Sequence, residues 1–196
     1  GVLTYMSLDV PQMQFAAKMV MAEASRPTPL AEVRLKRTAR YLVGNPITEW
    51  HYPLQELPTE SVVEADSDWA GCRRTGRSTS GGIVTFRGHV IKSYSRQQRT
   101  VALSSAEAEL HAMVAASAET IGVTNLCRDM GMDVSGEIYA DSSAALGIVQ
   151  RSGSGKVRHL RVQALWVQEV RVSGRIAYKK VLGEKNPADL LTKHMT

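Results

Sequence analysis

Acidic residues are missing from one long part of this 196-residue chain. No Asp or Glu occurs from Ala70 to Ala106, although the whole chain carries 19 acidic and 24 basic residues and a net charge of +5. A basic stretch without acids is typical either of a solvated surface or of one that follows a phosphate backbone. The candidate backbone contacts in this stretch are Arg73, Arg74, Arg77, Lys92, Arg96 and Arg99.

Long apolar runs and cysteines are also scarce. No apolar segment approaches the roughly 18–20 residues of a membrane-spanning helix, so a membrane partner is not expected. The two cysteines, Cys72 and Cys127, have neither CxxC spacing nor Cys/His spacing, which argues against a zinc site or a disulfide framework. They are interpreted as free thiols in a reducing compartment, which favours an intracellular protein, in a cytoplasmic particle or the nucleus, over a secreted one.

The order of predicted elements indicates an α/β fold. Residues 10–43 predict two helices that form a hairpin, the first from Pro11 to Ser25 and the second from Pro29, behind the N-cap Thr28, to about Val43. Residues 47–60 predict a short strand and a proline-punctuated linker. From Ser61 the pattern predicts the order β-β-β-α-β-α-α-β-α, which places helices around a mixed five-stranded sheet. The predicted boundary divides the chain into a helical segment, residues 1–60, and an α/β domain, residues 61–196.

Four acidic residues lie at the ends of predicted elements. Asp66 ends the first strand, Glu109 lies in the first turns of the long helix, Asp141 follows a short apolar strand, and Asp189 lies in a final short helix. Each has an ordinary local alternative, because acids are common in strand-end turns, in the first turn of helices and as N-caps. Taken singly, none of the four is a specific signal.

Taken together, the four acids predict a metal centre. Acids gathered at one edge of a sheet repel one another unless a cation neutralises them. Hard divalent cations prefer oxygen ligands, and two Mg²⁺ ions held side by side activate water for phosphodiester hydrolysis. The basic side chains of the acid-free stretch would contact the phosphates of the nucleic-acid backbone.

The chain resembles the ribonuclease H domain of copia-type retrotransposon Pol polyproteins, preceded by the tail of the reverse transcriptase. The matching motifs of the domain are Ala65–Gly71, Arg77–Gly82, Val101–Leu110, Tyr139–Ser142 and Ala188–Lys193, and the closest parts of the preceding segment are Asp9–Phe15 and Lys36–Gly44. The resemblance implies a ribonuclease H-like fold, with residues 1–60 as a connection-like end of the reverse transcriptase.

The resemblance also implies an activity and a set of site residues. Asp66, Glu109, Asp141 and Asp189 fall at the four metal-binding carboxylate positions, for two Mg²⁺ ions or Mn²⁺ in their place. The implied enzyme is an endonuclease that cuts the RNA strand of RNA–DNA hybrids, and its implied partners are the hybrid and the upstream reverse transcriptase domain.

One segment departs from the family. Arg158 and His159 match a Lys-His pair of the family and are candidate substrate contacts, with a plain helix-start role as the alternative for His159. The acid, Arg and His that the family has further along are replaced by Arg161, Gln163 and Leu165. A non-catalytic ribonuclease H-like module, which binds nucleic acid or packs on a polymerase, therefore stays open as the alternative function.

Overall fold

The computed structural model describes residues 1–153, 155 and 158–193. Three helices precede the sheet, where the sequence predicted two. They are α1 (Val2–Asp9), α2 (Gln14–Met21) and α3 (Pro29–Gly44), with a 3₁₀ turn over Pro11–Met13. The predicted start of a helix at Pro11 is correct, but its first turn is 3₁₀ and its end comes at Met21 rather than at Ser25. α3 begins as predicted, because the Thr28 side chain accepts a hydrogen bond from the amide of Ala31.

The segment between α3 and the sheet has no regular secondary structure, so the short strand predicted within residues 47–60 is wrong. Pro46, Pro53 and Pro58 remove backbone donors from this segment, which disfavours a ladder. Side chains bond it to the hairpin of residues 79–97 instead: the Tyr52 hydroxyl donates to the Val90 carbonyl at 2.9 Å, and the Gln55 amide donates to the Phe86 carbonyl at 3.2 Å.

The sheet has five strands in the order β3-β2-β1-β4-β5. β1 is antiparallel to β2 and parallel to β4, β2 is antiparallel to β3, and β4 is parallel to β5. This mixed sheet with flanking helices confirms the predicted architecture. The strands are β1 (Glu60–Asp68), β2 (Thr79–Phe86), β3 (His89–Gln97), β4 (Ser135–Ala140) and β5 (Ile176–Lys180).

Three helices cover one side of the sheet: α4 (Ser105–Asp129), α5 (Ser143–Gln150) and α6 (Arg161–Val172). Their buried apolar side chains join those of β1, β2, β4 and β5 in one hydrophobic core, which includes Val63 and Ala65 of β1. Among the described residues, no helix combines the length and the apolar character that crossing a bilayer requires.

A second layer packs on β2 and β3. It consists of α2 and a 3₁₀ helix over Pro187–Leu191. The Gln14 side chain donates to the Ser93 hydroxyl at 2.9 Å, and the Ser95 hydroxyl donates to the Leu191 carbonyl at 2.5 Å. Gly81 allows the close approach of this layer, because a Cβ there would lie 2.8 Å from the side chains of Leu191 and Thr192.

Candidate metal centre

β1 and β4 bring two acids to the same edge of the sheet. The two strands are parallel neighbours in which Ala65 pairs with Ala140. Asp66 and Asp141 each follow one residue of this pair. Because the carboxyl ends of parallel neighbours lie at one edge, the topology places both acids there.

Asp66 is deeply buried, with 1% of its surface exposed. It still lies within β1, opposite Gly81, so the expectation that it ends the strand is wrong by two residues. Its Oδ2 atom accepts a hydrogen bond from the Thr192 hydroxyl and lies 3.7 Å from the Lys193 ammonium. The carboxylate is therefore held in place by the segment that follows the 187–191 helix.

Asp68 shares the face of Asp66 but has a structural role. Its carboxylate accepts hydrogen bonds from the backbone amide and the hydroxyl of Thr79, across the β1–β2 pair. Lys18 of α2 donates to the same Thr79 hydroxyl, and its positive charge acts on Asp68. These contacts hold Asp68 at the β2 edge, which separates it from the acid cluster.

Glu109 enters the site from the first turns of α4. Ser104 caps this helix by accepting from the amide of Glu107, and the Glu107 carboxylate accepts from the amide of Leu103, so Glu107 is used in capping. Glu109 lies about half a turn further, and its Oε2 atom is buried without a hydrogen-bond partner in the described part of the chain.

Asp141 lies between β4 and α5 without capping the helix. The N-cap is Ser142, whose hydroxyl accepts from the amide of Ala145. This excludes the alternative that Asp141 is the N-cap acid. The backbone of Gly183 passes close to the Asp141 carboxylate, since a Cβ at this glycine would lie 3.1 Å from Oδ2.

Asp66, Glu109 and Asp141 form one cluster. Each offers a carboxylate oxygen, and the three oxygens lie within 4.8 Å of one another. The donor set fits a hard divalent cation, because all donors are carboxylate oxygens and the buried Oε2 of Glu109 has no other partner. The residues present therefore suit a hard divalent cation in chemistry and in spacing.

The electrostatics of the cluster show that its negative charge is compensated only in part. Burial, followed by the negative charges of Asp66 and Asp141, raises the pKa of Glu109 to about 8. Burial also raises the pKa of Asp66 to about 6, against the opposing effects of the Thr192 hydrogen bond and of Lys193. Raised acid pKa values mean that the fold disfavours the ionised forms, and a bound cation would reverse that preference.

Asp189, the fourth predicted acid, lies beside the cluster rather than in it. It belongs to the Pro187–Leu191 helix, and its Oδ1 atom is 2.6 Å from the Lys193 ammonium, which also reaches Asp66. Asn186 positions this helix: its side-chain amide donates to the Ala65 carbonyl of β1 at 3.0 Å, and its Oδ1 accepts from the amide of Ala188. The structure thus brings three of the four acids together, and a lysine stands between the fourth acid and the others.

Sequence reasoning missed three residues that organise this side of the site. Asn186 anchors the 187–191 helix on β1, Thr192 bonds Asp66, and Lys193 bridges Asp66 and Asp189. Thr192 and Lys193 both lie in the motif Ala188–Lys193, which was a signal for their importance. Their partners are 126 and 127 residues away in sequence, so only the folded chain identifies the contacts.

The predicted backbone contacts fall into different environments. Lys92 and Arg96 of β3 are both paired with Glu119 of α4, at 2.6 and 2.8 Å, so the acid-free stretch is neutralised in part from another element. Arg74 donates to the Ala22 carbonyl at the end of α2. Arg73, Arg77 and Arg99 are exposed. The side chain of Arg158 lies outside the described part of the structure.

His159 contacts Glu107, which lies two residues before Glu109 of the cluster. Its Nε2 atom is 3.1 Å from Oε2 of Glu107, while half of its side-chain surface is exposed. His111 approaches the other oxygen of the same carboxylate at 3.7 Å. Glu107 therefore links the start of α4 to the residues that precede α6, two residues before Glu109.

Comparisons with known proteins identify relatives among transposon polyproteins. The chain is 31% identical over 130 residues to the retrovirus-related Pol polyprotein from transposon TNT 1-94 of Nicotiana tabacum, a match that covers 65% of this chain and 10% of that protein. It is 28% identical over 200 residues to the retrovirus-related Pol polyprotein from transposon RE2 of Arabidopsis thaliana, covering 100% of this chain and 14% of that protein. No family model matches the chain.

The fold is similar to that of a solved ribonuclease H. The ribonuclease H1 of the halophilic archaeon Halobacterium salinarum superposes with a TM-score of 0.51 at 18% identity, over 68% of this chain and 94% of that protein. At this identity the likeness shows the fold alone, and it confirms the predicted ribonuclease H-like fold. The chain spans between 10% and 14% of the two polyproteins above. The chain is therefore homologous to a segment of retrovirus-related Pol polyproteins from plant transposons, and it has the ribonuclease H fold.

Proposed function

We propose that the chain is a metal-dependent endonuclease that cuts the RNA strand of RNA–DNA hybrids during reverse transcription of a copia-type retrotransposon. The observation that carries the proposal is the cluster of Asp66, Glu109 and Asp141, three carboxylates from three separate elements with oxygens within 4.8 Å of one another. Similarity to transposon Pol polyproteins and the ribonuclease H fold support the same function.

Asp66, Glu109 and Asp141 are the proposed ligands of the divalent cations, with Asp189 beside them. When bound, two Mg²⁺ ions, or Mn²⁺ in their place, would activate a water and stabilise the leaving oxygen of a phosphodiester. The chain's own contribution is to hold the ligands ready: β1 and β4 fix Asp66 and Asp141, and the buried start of α4 fixes Glu109. Thr192 orients the Asp66 carboxylate through its hydroxyl.

The substrate class is proposed from charge and groove geometry. An RNA–DNA hybrid offers a wide minor groove lined with 2′-hydroxyls, which distinguishes it from duplex DNA. The exposed Arg73, Arg77 and Arg99 are proposed to contact its phosphates, together with Arg74, Lys92, Arg96, Arg158 and His159. Phosphate contacts position the hybrid without reading its sequence.

Residues 1–60 are proposed to be the end of a reverse transcriptase domain that precedes this fold in the polyprotein. Large apolar side chains of this segment are exposed, among them Val2, Tyr5, Leu8, Val33 and Val43. Such a surface fits contact with further parts of the same polyprotein. The buried side of the segment packs on β3 through Gln14.

The test compares Asp141→Asn with Asp133→Asn in a cleavage assay on labelled hybrid, duplex DNA and duplex RNA, with and without Mg²⁺. Asp133 is exposed before β4 and Asp141 follows β4, so the pair changes one carboxylate at either end of the same strand. We expect cleavage of the RNA strand of the hybrid alone, only with Mg²⁺, and its loss by more than about 100-fold in Asp141→Asn. Asp133→Asn should cut like the unmodified chain.

Three outcomes would reject the proposal. Asp141→Asn could cut as fast as the unmodified chain, cleavage could persist without divalent cations, or the chain could bind hybrid in a salt-sensitive way without cutting it. The last outcome would favour the non-catalytic module.

A further inference from the structure

We propose that Lys193 is a built-in countercharge of the acid cluster, whose ammonium occupies the position between Asp66 and Asp189 and competes there with a second divalent cation. The proposal deepens the metal-dependent function above and rests on it for the assignment of the acids as ligands. It assigns a positioning role to a residue outside the four acids, and it predicts that the two cation positions are unequal.

The ammonium of Lys193 contacts two of the four predicted ligands. It lies 2.6 Å from Oδ1 of Asp189 and 3.7 Å from Oδ2 of Asp66. Among the described residues, Lys193 is the cationic residue that forms an ion pair with Asp66. A cation shared by Asp66 and Asp189 would compete with this ammonium for the same two carboxylates.

The backbone holds Lys193 at this position. Its amide donates to the Asp189 carbonyl at 3.0 Å, and the preceding Thr192 is 1% exposed with its hydroxyl bonded to Asp66. Asn186 ties the start of the same short helix to β1. Because both ends of the segment 186–192 are bonded to β1, the fold itself brings Lys193 to the two acids.

The acids divide into two unequal positions. In the described part of the chain, the ion pair made by these three acids is that of Asp66 with Lys193, so a first cation between Asp66, Glu109 and Asp141 meets three carboxylates. A second cation between Asp66 and Asp189 meets a resident positive charge. Two cations at that distance repel each other, so the second position binds only when the ammonium moves away.

The surroundings of Lys193 leave room for that movement. Half of its side-chain surface is exposed. It lines a groove of about 490 Å³ beside α2 and α3, whose wall includes Leu190 and Phe15. A lysine side chain can lie its methylenes along such an apolar wall while its ammonium stays in water.

The test is a calorimetric titration of the metal-free chain with Mn²⁺, for the unmodified protein, Lys193→Met, Lys193→Arg and a control, Lys36→Met. Lys36 pairs with Glu32 four residues earlier at 2.7 Å, so the control removes the same charge from the same kind of pair on α3. Methionine keeps the length of the side chain without its charge. Lys193→Gln serves as a second neutral variant, and circular dichroism checks the fold of each.

We expect Lys193→Met and Lys193→Gln to bind the second Mn²⁺ about tenfold more tightly than the unmodified chain, because a competing cation at this distance has gone. Lys193→Arg and Lys36→Met should titrate like the unmodified chain. Unchanged or weaker binding in both neutral variants, absence of binding included, would overturn the proposal. A chain that binds Mn²⁺ but cuts no hybrid would reject the nuclease while leaving this titration decisive, because cleavage is not its readout.

Discussion

Glu109→Gln should stabilise the metal-free protein at neutral pH, although it removes a carboxylate that we propose as a metal ligand. The substitution keeps the shape of the side chain and removes its charge. The raised pKa of Glu109, about 8 against an ordinary 4.5, arises from burial and then from the charges of Asp66 and Asp141. An unfolded chain imposes none of these costs, so ionised Glu109 favours unfolding.

The magnitude follows from the difference between the folded and unfolded pKa values. A tenfold change in the ionisation equilibrium is worth about 1.4 kcal/mol, and pH 7 lies 2.5 units above the ordinary pKa of 4.5, so the cost at pH 7 is at most about 3.5 kcal/mol. Solvent screening and rearrangement of the partly exposed side chain reduce the expected gain to about 1–2 kcal/mol. For a chain of this size, that gain raises the melting temperature by roughly 2–8 °C.

The pH dependence of the stability follows from the direction of the Glu109 pKa shift. The folded protein binds the Glu109 proton more tightly than the unfolded chain, so the unmodified protein loses stability as the pH rises from about 4.5 to about 8. The variant lacks this loss. Its advantage should therefore be near zero at pH 4.5 and largest at pH 8 and above.

The measurement is thermal unfolding followed by circular dichroism in EDTA, at intervals from pH 4.5 to 8.5. Glu107→Gln is the matched control, because the same substitution two residues earlier weakens contacts with the Leu103 amide and with His159 and should lower stability. Melting temperatures of Glu109→Gln that equal or fall below those of the unmodified protein at pH 8 would refute the reasoning, as would an advantage that does not change with pH.

Two further predictions concern the support of Asp66. Thr192→Val removes the hydroxyl that bonds this carboxylate and should lower the free energy of unfolding at pH 8 by about 1.5–3 kcal/mol in urea titrations. Thr192→Ser keeps a hydroxyl and should lower it less. Equal losses in both variants would contradict a role for the hydroxyl. Gly81→Ala places a Cβ 2.8 Å from Leu191 and Thr192 and should lower the free energy of unfolding, measured in the same way, by about 1–3 kcal/mol. The control Gly147→Ala has open space around the new Cβ and should not lower it. An unchanged free energy of unfolding in Gly81→Ala would show that the 187–191 helix is not packed on β2.

The sequence determined most of the scaffold because the scaffold depends on local patterns. The capping-box spacing of Ser104 and Glu107 predicts the start of α4. Ser104 accepts from the Glu107 amide as expected, whereas the Glu107 carboxylate accepts from the Leu103 amide instead of that of Ser104. The order of strands and helices predicted the five-stranded mixed sheet. The predicted strand within residues 47–60 was wrong, because three prolines outweigh the short apolar pattern.

For the site, the sequence determined which acids stand at the ends of elements, and only the tertiary structure decided what each does. Asp66 and Asp68 share a strand face, and Asp68 is distinguished by its hydrogen bonds with Thr79, which the β1–β2 pairing brings opposite it. Likewise Ser142, rather than Asp141, caps α5. In both cases the competing local interpretation was reasonable until the hydrogen-bond partners were known.

The balance of charge around the acids was beyond the sequence for the same reason. Lys92 and Arg96 lie in an acid-free stretch, yet Glu119 of α4 neutralises them across the fold. Lys193 follows Asp189 by four residues, which local spacing could pair, but its contact with Asp66 spans 127 residues. Electrostatic energy depends on distance in space and on burial, and both are fixed only when β1, β4, α4 and the 187–191 helix meet at one edge of the sheet.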